Sequence, residues 1–162
     1  MSTICKGKSG ISLVELIVTL TILSILASLI LPSAVMTGKR MKEIELRRDL
    51  RTIRTAIDEY KKSSDKVPIP PSGGSKSGYP STLQQLVEGT DFGTDAKAEK
   101  KKFLRKIPMD PFHPVVKEGG PEWGLRSYAD KPDSTIWGGE DVYDVYSLSE
   151  DTAIDGTKYK DW

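Results

Sequence analysis

Cysteine and histidine are nearly absent from this chain of 162 residues; Cys5 and His113 stand alone. A single cysteine cannot close an intramolecular disulfide, so no disulfide framework staples the fold. A lone histidine also leaves no material for a histidine-rich metal centre. Charge of one sign is missing too. The balance of 24 basic against 23 acidic side chains, a net +1, gives no electrostatic reason to bind nucleic acid or an anionic membrane surface. The cluster Lys100-Lys101-Lys102 lacks interleaved aromatics and does not change that. No G-x-S-x-G, P-loop or dinucleotide fingerprint occurs, so an enzyme is not expected. The length allows one modest domain plus a helix.

What is present is an apolar run close to the start. Lys6-Gly7-Lys8-Ser9-Gly10 leads into Ile11-Ser12-Leu13-Val14-Glu15, and Leu16 to Leu31 is then free of charge. A secretory signal has a similar outline, but its apolar region is about 7–15 residues and ends at a small-x-small cleavage site. This run is longer, lacks that site, and continues as a helical pattern past Pro32. A plain membrane anchor fits the length better. Ile11 to Leu31 is 21 residues, near the roughly 20 that cross a bilayer. It leaves Glu15 unexplained, because an unpaired carboxylate in hydrocarbon costs about 2.5–3.5 kcal/mol by insertion scales.

Gly10, Glu15 and the apolar run together resemble the type III signal of type IV pilins and pseudopilins. The resemblance implies a leader of residues 1–10, cleaved by a prepilin peptidase between Gly10 and Ile11, with methylation of the new amino terminus at Ile11. Ile11 stands where the family usually has phenylalanine. Pro32 matches a proline common in the family. Cys5, Lys6 and Lys8 would leave with the leader, so the mature chain would be cysteine-free and still near neutral. Glu15 would then pair with the Ile11 amine of a neighbouring subunit, giving the carboxylate a charge partner in a low-dielectric setting. The alternative for Glu15 is snorkelling to the interface from near the helix end. Ile11, Glu15 and Pro32 are thus the candidate filament-assembly residues.

Beyond Arg40, apolar residues recur at Leu46, Leu50, Ile53, Ile57 and Tyr60, in steps of four and three. That is one helical stripe. One helix from about Ile11 to Lys62 is expected, apolar all round in its first half and amphipathic in its second. Its charged face is read as solvated; alternatively Arg47, Arg51 and Arg54 meet acids of neighbouring subunits. Pro32 should kink or loosen the helix, as related subunits do in assembled filaments. Residues 63–80, rich in Pro, Gly and Ser, form a loop. A short helix from Ser81 to Val87 follows, with Leu83, Leu86 and Val87 inward and Gly89 as its stop. Residues 90–102 are a surface excursion. Trp123–Tyr128 and Asp141–Ser147 read as antiparallel strands with turns between them. The expected fold is α+β: a long helix whose apolar half, 11–36, lies in the membrane, and a pilin-like domain, 37–162, in which the amphipathic half packs on a small antiparallel sheet.

The segment Ile107-Pro108-Met109-Asp110-Pro111-Phe112 narrows the resemblance to the major pseudopilins of type II secretion systems. His113-Pro114 departs from that pattern, and His113 is taken as a turn residue. The resemblance implies a non-enzymatic subunit that polymerises with copies of itself into a short periplasmic filament. It starts in the lipid of the bacterial inner membrane, with the domain in the periplasm. The implied partners are minor pseudopilins, the prepilin peptidase, an inner-membrane assembly platform and its ATPase, with no nucleic acid. Major pseudopilins hold calcium in a C-terminal loop, which places carbonyls of Leu148 and Ser149 and the carboxylates of Asp151 and Asp155 as candidate ligands. Ser149-Glu150 departs from the usual pattern there, and an acidic turn without an ion is the alternative. Many type IV pilins close this region with a disulfide; here another staple must hold the tail. The rival reading is a type IV pilin of a surface fibre for adhesion, motility or DNA uptake. A membrane-anchored periplasmic binding domain that never polymerises fits Gly10 and Glu15 less well.

Overall fold

The structure, a computed structural model, describes residues 10–67, 75–92, 100–113 and 123–162, without the side chains of 29–34. Leader positions 1–9, the Pro/Gly-rich positions 68–74, the middle of the polar excursion at 93–99, Pro114 and the side chain of Pro32 lie outside that description. The chain divides into two compact units, Met1–Lys39 and Arg40–Trp162. Helix α1, Leu13–Ser64, contributes to both.

In the first unit the helix begins where Leu16 N bonds Ser12 O at 3.0 Å. The residues that follow are strong or neutral helix formers with neither glycine nor proline before Pro32. The helical assignment runs unbroken through position 32. The loosening of the helix expected at Pro32 brings no break in it.

In the second unit the predicted stripe is the core. Leu46, Leu50, Ile53, Ile57 and Tyr60 are all buried. They cluster with Leu86, Leu104, Trp123, Val142, Val145, Ala153 and Tyr159. Helix α2, Gln84–Glu88, starts later than expected, because the chain passes Thr82 and Leu83 in tighter turns, with Gln85 N bonded to Thr82 O at 3.3 Å and Leu86 N to Leu83 O at 3.1 Å. It stops at Gly89 as expected, with φ +85° in a region that favours glycine. The Leu86 carbonyl accepts both Phe103 N and Leu104 N at 2.9 Å, which holds the far end of the polar excursion against α2. A bridge between Thr90 and Lys101 closes that excursion at its base.

Strands β1, Gly124–Arg126, and β2, Asp144–Tyr146, pair antiparallel with Leu125 opposite Val145. Both are shorter than the sequence suggested. Side-chain acceptors replace ladder bonds beyond the pair: Asp130 takes Ser127 N, and Asp141 takes Tyr128 N, each at 2.8 Å. The sheet nonetheless buries Val145 in the same core as the helix stripe. That is the pilin-like α+β arrangement expected from the pattern.

Candidate functional site

The first unit presents an apolar helix with a single unsatisfied polar group in its described helical part. Its four hydroxyls between Leu13 and Ser28 bond back to the helix: Thr19 to Leu16 O, Thr21 to Ile17 O, Ser24 to Leu20 O and Ser28 to Ile25 O, each at 2.8 Å. Such back-bonding is how a hydroxyl is tolerated where water is absent. Glu15 differs. It lies exposed in the first turn and has no hydrogen bond or ion pair among the described residues. The positive end of the helix dipole favours a carboxylate there, but by less than hydrocarbon burial costs. Apolar side chains from Leu13 to Leu26 are at least half exposed on every side of the helix. A surface of that kind needs lipid or other helices around it.

Among the described residues no helix is long and apolar enough to cross a membrane. The expected span to Leu31 runs into positions whose side chains are outside the description. Gly10 and Ile11 precede the helix and are exposed. A Cβ at Gly10 would meet nothing within 4 Å. Nothing inside the described fold requires glycine at that position.

The second unit holds the tail onto α1 with side chains alone. Glu43 accepts Ile154 N at 2.8 Å and the Tyr159 hydroxyl at 3.0 Å. Arg47 pairs with Asp155 at 3.4 Å and stacks over Trp162 at 3.9 Å. Arg54 donates to Asp144 at 2.7 Å, to Val145 O at 3.0 Å and to the Trp162 main-chain oxygen at 2.7 Å. Tyr159 is wholly buried between Phe112, stacked with centroids 4.0 Å apart, and Trp162, edge-on at 5.1 Å. Burial, and then the Glu43 carboxylate it bonds, push the Tyr159 phenol well above its ordinary range.

The Asp110-Pro111-Phe112 segment explains itself in this setting. Asp110 is buried and accepts Phe112 N at 2.8 Å and the Ser147 hydroxyl, so it fixes the turn that delivers Phe112 to the tail. His113 N closes that turn onto Asp110 O at 3.2 Å, as a turn residue should.

One expectation changes as a result. Arg47 and Arg54 are neither simply solvated nor reserved for neighbouring subunits, because each has an acid of its own chain; Arg51 alone of the three keeps no ion partner among the described residues. Around the candidate calcium ligands, Asp155 and its neighbours have hydrogen-bond partners within the chain. Asp155 Oδ1 accepts both the amide, at 3.0 Å, and the hydroxyl, at 2.6 Å, of Thr157, while Oδ2 faces Arg47. Those Thr157 bonds hold the Asp155 carboxyl below its ordinary range. Asp151 O is taken by Tyr159 N at 3.3 Å, and Ser149 Oγ by Asp151 N at 3.3 Å. Among the described residues no three acidic, histidine or cysteine side chains come together to hold a metal. Leu148, Ser149, Asp151 and Asp155 thus lead into a hydrogen-bonded turn, with Thr152 bridged to Lys158.

The clasp residues Glu43, Arg54, Tyr159 and Trp162 were missed as a site. One signal was present: Glu43, Arg47, Leu50 and Arg54 follow steps of four, three and four, the same period as the core stripe beside them.

A helix of this composition, entered through Gly10 and Glu15 and continued into a small antiparallel sheet, defines a pilin-like protein. Residues 5–31 match the prokaryotic N-terminal methylation motif. A type II secretion system core protein G of Pseudomonas aeruginosa is 28% identical over 147 residues, covering 90% of this chain and 86% of that one. Core protein G of Klebsiella pneumoniae is 27% identical over 66% of this chain and 71% of its own, and that of Aeromonas hydrophila is 24% identical over 66% and 69%. No solved structure matches the chain. Over most of its length the chain is thus similar to type II secretion system core protein G.

Proposed function

We propose that this chain is a structural, non-enzymatic subunit of a type II secretion pseudopilus. It enters the inner membrane through the apolar half of α1, with the second unit on the periplasmic side. A prepilin peptidase cuts after Gly10, methylation follows on Ile11, and the processed chain adds to a short filament of its own kind. Minor pseudopilins, an assembly platform and its ATPase act on that filament to help export folded proteins.

The observation that carries the reading is Glu15, the one unsatisfied polar side chain in the described apolar stretch of α1. Cleavage after Gly10 creates an amine at Ile11. A neighbouring subunit can bring that amine to Glu15, converting a costly lone charge into a pair. Pairing within one chain is poorer, because both charges would still face lipid.

The open space around Gly10 supports processing as the reason for glycine there. A Gly10→Ala chain is expected to fold as before and to accumulate in membranes at precursor mass. The parent chain should appear at the mass of a chain starting with methylated Ile11. Normal cleavage of Gly10→Ala, read by intact mass, would count against the proposal.

A further inference from the structure

The loop between β1 and β2 is held far more firmly than its exposure suggests. Asp130 accepts Ser127 N at 2.8 Å and Gly138 N at 3.0 Å. Arg126 donates to Ser134 O at 3.0 Å, Tyr146 to Thr135 O at 3.2 Å, and the Trp137 indole to Asp141 O at 2.7 Å. The product of these bonds is a fixed tip with Ile136 79% exposed. Asp133 and Glu140 flank it, both exposed and without an ion pair among the described residues. An apolar side chain held rigidly in water is the form a binding anchor takes, since ordering before contact lowers the entropic cost of association.

The same unit carries a groove with complementary chemistry. It has a volume of about 530 Å³ and is lined by Leu50, Thr55, Asp58, Trp162 and the arginines at 47, 51 and 54. Apolar surface forms part of its lining, three cations stand along it, and Arg51 has no ion partner among the described residues. Acid on the loop matches a groove that carries three arginines against the single carboxylate of Asp58, and the apolar tip matches the Leu50 and Trp162 surface.

We propose that the Ile136 tip of one copy seats in the Leu50–Trp162 groove of another, with Asp133 and Glu140 meeting Arg51 and its neighbouring arginines. Tip and groove are different surfaces, so the contact is heterologous and each copy keeps one of each free. Repeated, it extends as an open helical array instead of closing as a two-fold dimer. The inference rests on the filament reading above and adds a periplasmic contact to it.

The absence of cysteine beyond Cys5 makes a direct test possible. In a full-length Cys5→Ser background, Thr55→Cys marks the groove wall and Thr135→Cys marks the tip; both positions are exposed. Membranes carrying each variant are treated with a short bis-maleimide, and filaments are scored in the same samples. The two single variants are expected to give no product alone and a dimer when co-expressed, while the double variant gives a ladder of multimers. Arg51→Glu should lower filament yield about tenfold, since like charges then face each other, and Asp133→Arg with Glu140→Arg should restore it. Filaments without the mixed dimer or ladder would overturn the tip-and-groove contact while leaving the filament reading intact. Absence of filaments and of any cross-linked product in every sample, the parent chain included, would remove both.

Discussion

Gly124 faces Tyr146 across β1 and β2, and a methyl group added at 124 would lie 2.2 Å from the tyrosine Cζ. The ring cannot retreat freely, because Arg126 stacks on it at 4.3 Å and its hydroxyl bonds Thr135 O. Gly124→Ala is therefore expected to destabilise the full-length chain by about 1–3 kcal/mol, the range for overpacking a filled site, read as a lower urea midpoint in detergent. Arg54→Met should cost a similar amount, about 1.5–3 kcal/mol, the range for losing hydrogen bonds to a charged group. Limited proteolysis should show its tail cut sooner. An unchanged cleavage rate at the tail would mean that Arg54 does not hold it. Neither role was legible beforehand. Gly124 needs the strand register, which three-residue strands do not announce, and Arg54 resembles any charge on a solvated helix face. Glu15 was legible because its whole neighbourhood in sequence is apolar.

At the scale of elements, the stripe Leu46–Tyr60 gave the core directly, since period and burial coincide along a helix. The sheet was legible in kind but not in extent, because Asp130 and Asp141 replace ladder bonds with side-chain bonds. The tail was not legible as a clasp, for it depends on which residues meet across 108 or more positions of chain. Its titration follows from two shifts of opposite sign. The Tyr159 phenol is raised, so its contribution to stability is whole below its ordinary value of 10.0 and is lost as pH climbs through that value towards the folded one. Alkaline titration should release the tail, and Tyr159→Phe, which keeps the stack, should abolish that step in near-UV circular dichroism. Asp155 is lowered, so what it contributes is present above its ordinary 3.8 and disappears as pH falls through the folded value. A chelator is expected to leave the thermal midpoint of the full-length chain unchanged, since the oxygens of Asp155 are already engaged by Thr157 and Arg47. A midpoint that drops with chelator and returns with calcium would show the clasp to be incomplete without the ion.

The whole molecule joins a helix that cannot stay exposed to water with a domain that secures its own tail. The two units divide the work. The second supplies a folded body held by Glu43, Arg47, Arg54 and the Phe112–Tyr159–Trp162 rings, and the first supplies the surface that requires company. The change from an apolar to an amphipathic half of α1 is legible in sequence, because apolar content changes abruptly along it. It did not reach the tip and groove, since neither exists until the loop is folded. Everything at this scale turns on Glu15 having its partner in another copy. The direct measurement is filament assembly by Glu15→Ala, with intact mass taken on the same membranes to confirm cleavage after Gly10. Cleaved Glu15→Ala chains that remain in the membrane without forming filaments are the expected result. Filaments as abundant as those of the parent chain would contradict it.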